Sequence, residues 1–375
     1  MNKLKPQQTL KTSQYVTNLN KTTFTGLSKL QTLSIFNNKI YSIEPYTFNV
    51  LPSLQELRLE YNSLNSVDEF TFTGLKSLSL LALTQNSIGS IHPNGFMDLN
   101  KLLTLDLDQN LLETLDPDAF KRLNSLINLD LSANRLTNIQ PSTFNGLTNL
   151  NTLYLVSNKL KLIEPSTFDA LTNLNTLDLS SNEITSVYPS MFAKLVKLEL
   201  LNLSSNNLSS ITPNSFGVLA KLRSLKINDN KLGAIEAFDW FGLVSLKELE
   251  LSGNYLSGIG ADTFKALASL EYLDLSGNKI ASIENGTYNQ LNKLALLNLG
   301  MNQITRLYTG AFEGMLGVKD LLLNDNRIVS INQNVFKELS SLRVVKLGNN
   351  PISLVQGGLV LSLCSANPDC VVMID

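Results

Sequence analysis

Residues 174–197 read LNTLDLSSNEITSVYPSMFAKLVK, with apolar side chains at Leu174, Leu177, Leu179, Ile184, Val187, Phe192 and Leu195 placed around Asn182. The same spacing around Asn62 gives Leu54, Leu57, Leu59, Leu64, Val67, Phe72 and Leu75. Asparagine returns every 24 residues without insertion, at 38, 62, 86, 110, 134, 158, 182, 206, 230, 254, 278, 302, 326 and 350. Thirteen full units run from Leu30 to Ser341, residues 30–341, behind an incomplete half-repeat at 1–29. A fourteenth unit opens at Leu342, keeps the pattern through Ile352 and then breaks, leaving 342–375 as a partial repeat with a cap-like end. A period this regular belongs to stacked-repeat architectures, where each unit buries its apolar face only against its neighbours. Length therefore counts repeats here; a globular chain of 375 residues would divide into two or three domains.

In Leu57-Arg58-Leu59 apolar and polar residues alternate, which predicts a short strand with its leucines pointing inward. Parallel strands stack about 4.8 Å apart, so fourteen would span on the order of 65 Å. The rest of each unit returns to the next strand, and bulky fillers occupy that side: Phe48, Phe72, Phe96 and their successors through Phe336, with Trp240 and Tyr288 in the same column. Such periodicity marks this column as core. A polar column between leucines is tolerable only if its amides are satisfied, so the asparagines read as a structural ladder bonding turn backbone in their own and neighbouring units. A shorter column, Pro45, Pro93, Pro117, Pro141, Pro165, Pro189 and Pro213, favours an extended return and stops after Pro213, which predicts a different return in the later units.

The pattern LxxLxLxxN, repeated in phase over more than 80% of the chain with Phe ten residues after each Asn, resembles the leucine-rich repeat family in its 24-residue typical subtype. The resemblance implies an α/β solenoid: a right-handed horseshoe with a concave parallel β-sheet and an irregular or short-helical convex side. It is similar to the ectodomains of Toll-like receptors, small leucine-rich matrix proteins and variable lymphocyte receptors.

Composition narrows the chemistry. Thirty basic against 32 acidic residues leave a net charge of −2, so bulk charge does not drive binding to nucleic acid, and no nucleic-acid partner is expected. His92 is the single histidine and only two cysteines are present, which leaves no zinc cluster and no His-based triad. Gly253-Asn254 and Gly277-Asn278 are turn glycines rather than a phosphate loop. Asp106, Asp108 and Asp130 form the densest acidic spot, but no Asp-rich calcium loop accompanies them, and we assign no metal, cofactor or catalytic residue. No apolar run reaches the 18 or more residues of a membrane span.

What remains is a face whose exposed strand positions vary while the scaffold does not. Most hold Ser, Thr, Asn or Asp, so the larger residues are the ligand-binding candidates: Phe36, Arg58 and Tyr61 near one end, Tyr154 and Val156 at the centre, and Tyr272, Leu296, Leu322, Val344 and Lys346 towards the other end. Aromatic and Arg anchors are the usual hot spots of protein interfaces. The expected partner is a protein ligand on the concave face, with self-association in a matrix protein as the alternative.

Four sequons, at Asn20, Asn202, Asn207 and Asn285, are candidate glycosylation sites. Asn202 lies on a strand, so a glycan there would block the centre of the face. Residues Met1 to Gln8 contain no apolar signal-peptide core. The chain starts inside the repeat pattern, which favours an extracellular protein whose natural start lies upstream; a cytosolic scaffold is the alternative. Asn350-Pro351-Ile352 resembles the entry to a C-terminal leucine-rich-repeat cap, but only Cys364 and Cys370 follow where such caps carry four cysteines. A disulfide between them is a candidate for a secreted chain, with two free thiols the alternative.

Overall fold

The computed structural model describes residues 9–11, 15–332, 334–352 and 370–374. It is a solenoid of parallel strands with one three-residue strand per repeat. Two compact units divide it: Met1–Glu183 with Ala193–Leu198, and Ile184–Phe192 with Glu199–Asp375.

The first unit contains Thr9–Lys11, Thr32–Ser34, Glu56–Arg58, Leu80–Ala82, Thr104–Asp106, Asn128–Asp130, Thr152–Tyr154 and Thr176–Asp178, paired in that order. The second contains Leu200–Asn202, Ser224–Lys226, Glu248–Glu250, Tyr272–Asp274, Leu296–Asn298, Asp320–Leu322, Val344–Lys346 and Val371–Met373. Within the repeats the register is one unit, as in Leu57↔Leu81 and Leu249↔Leu273. In the repeat strands from Thr32–Ser34 to Val344–Lys346 the central Leu (Val345 in the last) is buried and most flanking residues are at least partly exposed, as the alternation in sequence requires.

Two strands escape the 24-residue pattern. Thr9 pairs with Thr32, and Val371 pairs with Val344, so each extends its sheet by one strand outside the asparagine-marked repeats. Cys370, just before the second of these, is disulfide-bonded, while Cys364 lies outside the described residues.

Among the described residues there is no α-helix. The return side is built of turns, of 3₁₀ helices at Thr47–Val50, Pro189–Met191 and Ala237–Trp240, and of two-residue strand pairs such as Ser66–Val67 with Ser90–Ile91. Rings of successive repeats stack with centroids 6.0 Å apart at Phe48–Phe72 and 6.2 Å apart at Phe144–Phe168 in the first unit. The second unit stacks Trp240–Phe264 at 6.5 Å and Phe264–Tyr288 at 6.2 Å. These rings are fully buried, and each contributes on the order of 2–3 kcal/mol of transfer free energy. Two carry a polar atom into the column: Trp240 Nε1 and Tyr288 Oη are buried without a hydrogen-bond partner.

The asparagine ladder takes the form its chemistry demands. Asn86 Nδ2 donates to the carbonyls of Leu59 and Leu83 at 3.0 Å, and its Oδ1 accepts the N–H of Leu64 at 3.0 Å. Asn254 repeats this in the second unit, donating to Ile227 and Leu251 and accepting from Leu232, all at 3.0 Å. The turn that aims each Asn inward places the residue before it in the left-handed region. Gly253 and Gly277 fill that position at φ 64°, whereas Tyr61, Ala133, Met301 and other non-glycines adopt it at φ 56°, 49° and 53°. Only glycine takes this conformation without cost.

One feature of the return occurs on both sides of the point where the proline column ends. A left-handed residue follows Pro45, Pro165 and Pro213, at Tyr46, Ser166 and Asn214, and equally follows Ala261, Asn285 and Thr309, at Asp262, Gly286 and Gly310.

Candidate recognition face

Because strand residues alternate, the outward positions of successive repeats line up in columns on the open side of each sheet. The candidates from sequence fall into these columns, but the register groups them unequally.

In the first unit, Arg58 lies between two carboxylates, Glu56 and Glu60, the second at 3.2 Å. The hydrogen bond and charge of Glu56 raise its guanidinium pKa above the ordinary value despite partial burial. Phe36 and Tyr61 stand beside this clamp with 47% and 52% of their surface exposed, and together with Thr9 and Lys11 they line a cleft of about 540 Å³. Arg58 is thus tied to its neighbours, and the free contact surface of the cleft belongs to the two rings.

Further along the same unit, Asp106 and Asp130 are register partners and Tyr154 stands next to Asp130. Burial pushes Asp106 up to about 6; the Thr84 and Asp108 hydrogen bonds oppose the shift, and the charges of Asp108 and Asp130 add to it. Asp130 is raised for the same primary reason, although Ser132 bonds hold it down in part. Asp108 Oδ1 is buried without a partner. Among the described residues no group of His, Cys, Asp or Glu is arranged to hold a metal ion. Tyr154 is 38% exposed and Val156 half-buried, so the tyrosine is the feature a partner would meet.

The second unit sets a base among its acids. Lys226 Nζ lies 2.8 Å from Glu250 and 3.8 Å from Glu248, and Ser224 Oγ donates to Glu248 at 2.6 Å. Tyr272 stands beside Glu248 in register and its hydroxyl donates to Asp274 at 3.3 Å. Burial, then the charges of Asp274 and Glu250, push the phenol up to about 12, so it remains a neutral donor. Tyr272 and Leu296 are adjacent register partners and form a contiguous apolar pair. Asp320 separates that pair from Val344, and Leu322 stands in the next column between Asn298 and Lys346. Val344 is flanked on its other side by Val371. The five C-terminal candidates therefore make one tight pair and three neighbours. Sequence reading passed over Glu248 and Ser224, although a one-repeat shift from Tyr272 and Glu248 reaches both.

The sequons sit in different settings. Asn20 and Asn285 are exposed, and Asn207 is half-buried. Asn202 lies on the sheet face with its Oδ1 accepting from the backbone N–H and the hydroxyl of Ser204, at 3.0 and 2.7 Å. No helix among the described residues is long and apolar enough to cross a membrane.

A regular repeat that leaves its outward strand positions free to vary is the architecture of a solenoid. The chain belongs to the leucine-rich repeat family, whose model matches residues 10–64, 52–112, 96–136, 124–184, 148–208, 172–232, 221–280, 244–304 and 274–328. A solved TLR13–ssRNA13 complex is similar, with a TM-score of 0.89 and 28% identity over 98% of this chain and 53% of that one. The Toll–Spatzle complex of Drosophila has a TM-score of 0.83 and 24% identity, over 90% of this chain and 46% of that one. A leucine-rich-repeat protein of Leptospira interrogans gives 0.70 and 27%, over 92% and 90%. This chain spans about half the length of the TLR13 and Toll chains it matches. No curated protein matches it in sequence. The RNA in the TLR13 complex removes the support for excluding a nucleic-acid partner: a near-neutral net charge averages over the whole surface, while a binding site is local.

Proposed function

We propose that the chain is a non-catalytic recognition module, the extracellular repeat region of a secreted protein or receptor, which binds a protein ligand on its sheet face. The observation that carries this reading is the contiguous Tyr272–Leu296 pair, set on a rigid sheet and bordered by the Lys226–Glu250 ion pair. Apolar contact area surrounded by satisfied polar groups is the usual plan of a binding hot spot. Tyr154 and the Phe36–Tyr61 cleft are secondary contacts in the same reading. The similarity to ectodomains solved with partners supports it. In this proposal residues 30–341 are the complete repeats and the segments at 1–29 and 342–375 close the ends, the latter with a Cys364–Cys370 disulfide. The sequons Asn20, Asn207 and Asn285 accept glycans, and Asn202 does so at the expense of the centre of the face.

The test is capture of secreted proteins on the immobilised chain, quantified for the native protein and for a Tyr272→Asp/Leu296→Asp variant with an unchanged melting profile. Proteins held by the native chain and lost by the variant support the reading. Identical captured sets would move the site off this face.

A further inference from the structure

The residue just ahead of each strand, exposed or half-buried, forms a second ladder along the flank of the sheet. Each N–H there donates to the carbonyl of its counterpart one repeat earlier, at 2.7–2.9 Å in the second unit. In the first unit this column carries no charge from Gln31 through Leu103 and Ile127 to Asn175. In the second it reads Arg223, Lys247, Glu271, Ala295, Lys319 and Arg343 after Glu199. Lys221 and Lys293 stand two residues upstream in their own repeats, where they border an open depression of about 580 Å³ with Arg223 and Lys247.

The acids do not cancel this charge. Glu199 pairs with Arg223 at 3.4 Å and Glu271 with Lys247 at 2.7 Å, which holds Glu271 below the usual carboxylate range through the Lys247 hydrogen bond and charge. Lys221, Lys293, Lys319 and Arg343 have no ion-pair partner among the described residues. Six bases thus face two acids along one edge of a chain whose net charge is −2. Five strand spacings separate Arg223 from Arg343, roughly 24 Å at about 4.8 Å each. The bases are exposed, and the ladder fixes the backbones of Arg223, Lys247, Lys319 and Arg343, so a charged polymer lying along the edge would meet them in sequence.

We propose that this flank binds a sulfated polysaccharide, running along the ladder from Lys221 to Arg343. Charge complementarity selects a polyanion, and the absence of any aromatic ring from the lining residues selects among polyanions. Single-stranded nucleic acid is held by base stacking on aromatic platforms as well as by charge. A sulfated glycan needs only the charge. The site is separate from the sheet face, where Tyr272 and Leu296 lie.

Heparin is the probe. The native chain is expected to bind it with an affinity that falls steeply with sodium chloride, as release of condensed counterions requires. Lys221→Glu/Arg223→Glu/Lys247→Glu/Lys293→Glu should weaken binding at least tenfold and flatten the salt dependence. The same number of charge reversals at the exposed Lys29, Lys76, Lys101 and Lys159 of the first unit should leave binding within about threefold. Thermal melts of each variant keep a folding defect from passing as lost binding, and an unfolded quadruple variant is replaced by Lys221→Glu/Lys293→Glu, which breaks no ion pair. No heparin binding by the native chain, equal losses in the two charge-reversal sets, or displacement of heparin by single-stranded RNA at lower total charge would each overturn the proposal.

Discussion

The two units share one scaffold and place their charges differently. In each, leucines and stacked rings fill the interior and an asparagine per repeat bonds the backbone of its own repeat to that of the one before. The first unit groups acids on the open face, at Asp106, Asp108 and Asp130, and keeps the residue just ahead of each strand uncharged from Gln31 to Asn175. The second sets Lys226 against Glu248 and Glu250 on its open face and carries base on the flank. A scaffold set by periodic positions leaves the aperiodic ones free, and those are where the units acquire different chemistry.

The largest expected effect probes what the units share. Asn158→Ala in the first and Asn254→Ala in the second each leave buried carbonyls and an N–H without partners, and should lower stability by about 3 kcal/mol or more. Urea titrations with closely matched losses would sharpen the claim of a common scaffold; a large disparity would break it. Next comes a feature of the second unit alone. Tyr288→Phe removes a buried hydroxyl that has no partner and should stabilise the chain by about 1–2 kcal/mol in the same assay.

The acidic face belongs to the first unit and shows itself through pH. Asp106 titrates near 6 when folded and near the ordinary value of 3.8 when unfolded, so in between the native state holds the extra proton. Its contribution therefore declines as pH rises from about 4 to about 6 and stays unfavourable above that window. Asp106→Asn should remove this slope and raise stability at pH 7 by about 1 kcal/mol, after allowance for solvent screening of a partly exposed group. Chemical melts at pH 4, 5.5 and 7 read it directly. The smallest effect is again common to both units: Ala133→Gly and Met301→Gly relieve left-handed backbone and should gain about 0.5 kcal/mol each in thermal melts.

Much of this was legible in the sequence because core positions repeat. The strand leucines, the ring column and the asparagine ladder are each fixed by a 24-residue period, and a period needs no coordinates. The terminal strands at Thr9–Lys11 and Val371–Met373 were not legible, since neither keeps that spacing. The candidate face was visible as a set of outlying residues, but not as groupings. Leu296 and Val344 look equivalent in sequence, whereas Asp320 stands between them once strands are placed in register. The charged flank lies one residue outside each strand, where alternation of apolar and polar residues carries no signal. The buried hydroxyl of Tyr288 was hidden by a substitution that preserves shape and changes only one atom.

The central claim is that recognition is written on the open face of the sheet, and one capture experiment tests it most directly. Tyr272→Asp/Leu296→Asp is compared with Phe238→Ser/Phe241→Ser, which alters two exposed aromatic residues of the return side, 72% and 58% exposed. Both folded variants are presented with the same secreted proteins as the native chain. The account predicts that the sheet-face variant loses the native partners and the return-side variant keeps them. Loss confined to the return-side variant would contradict it.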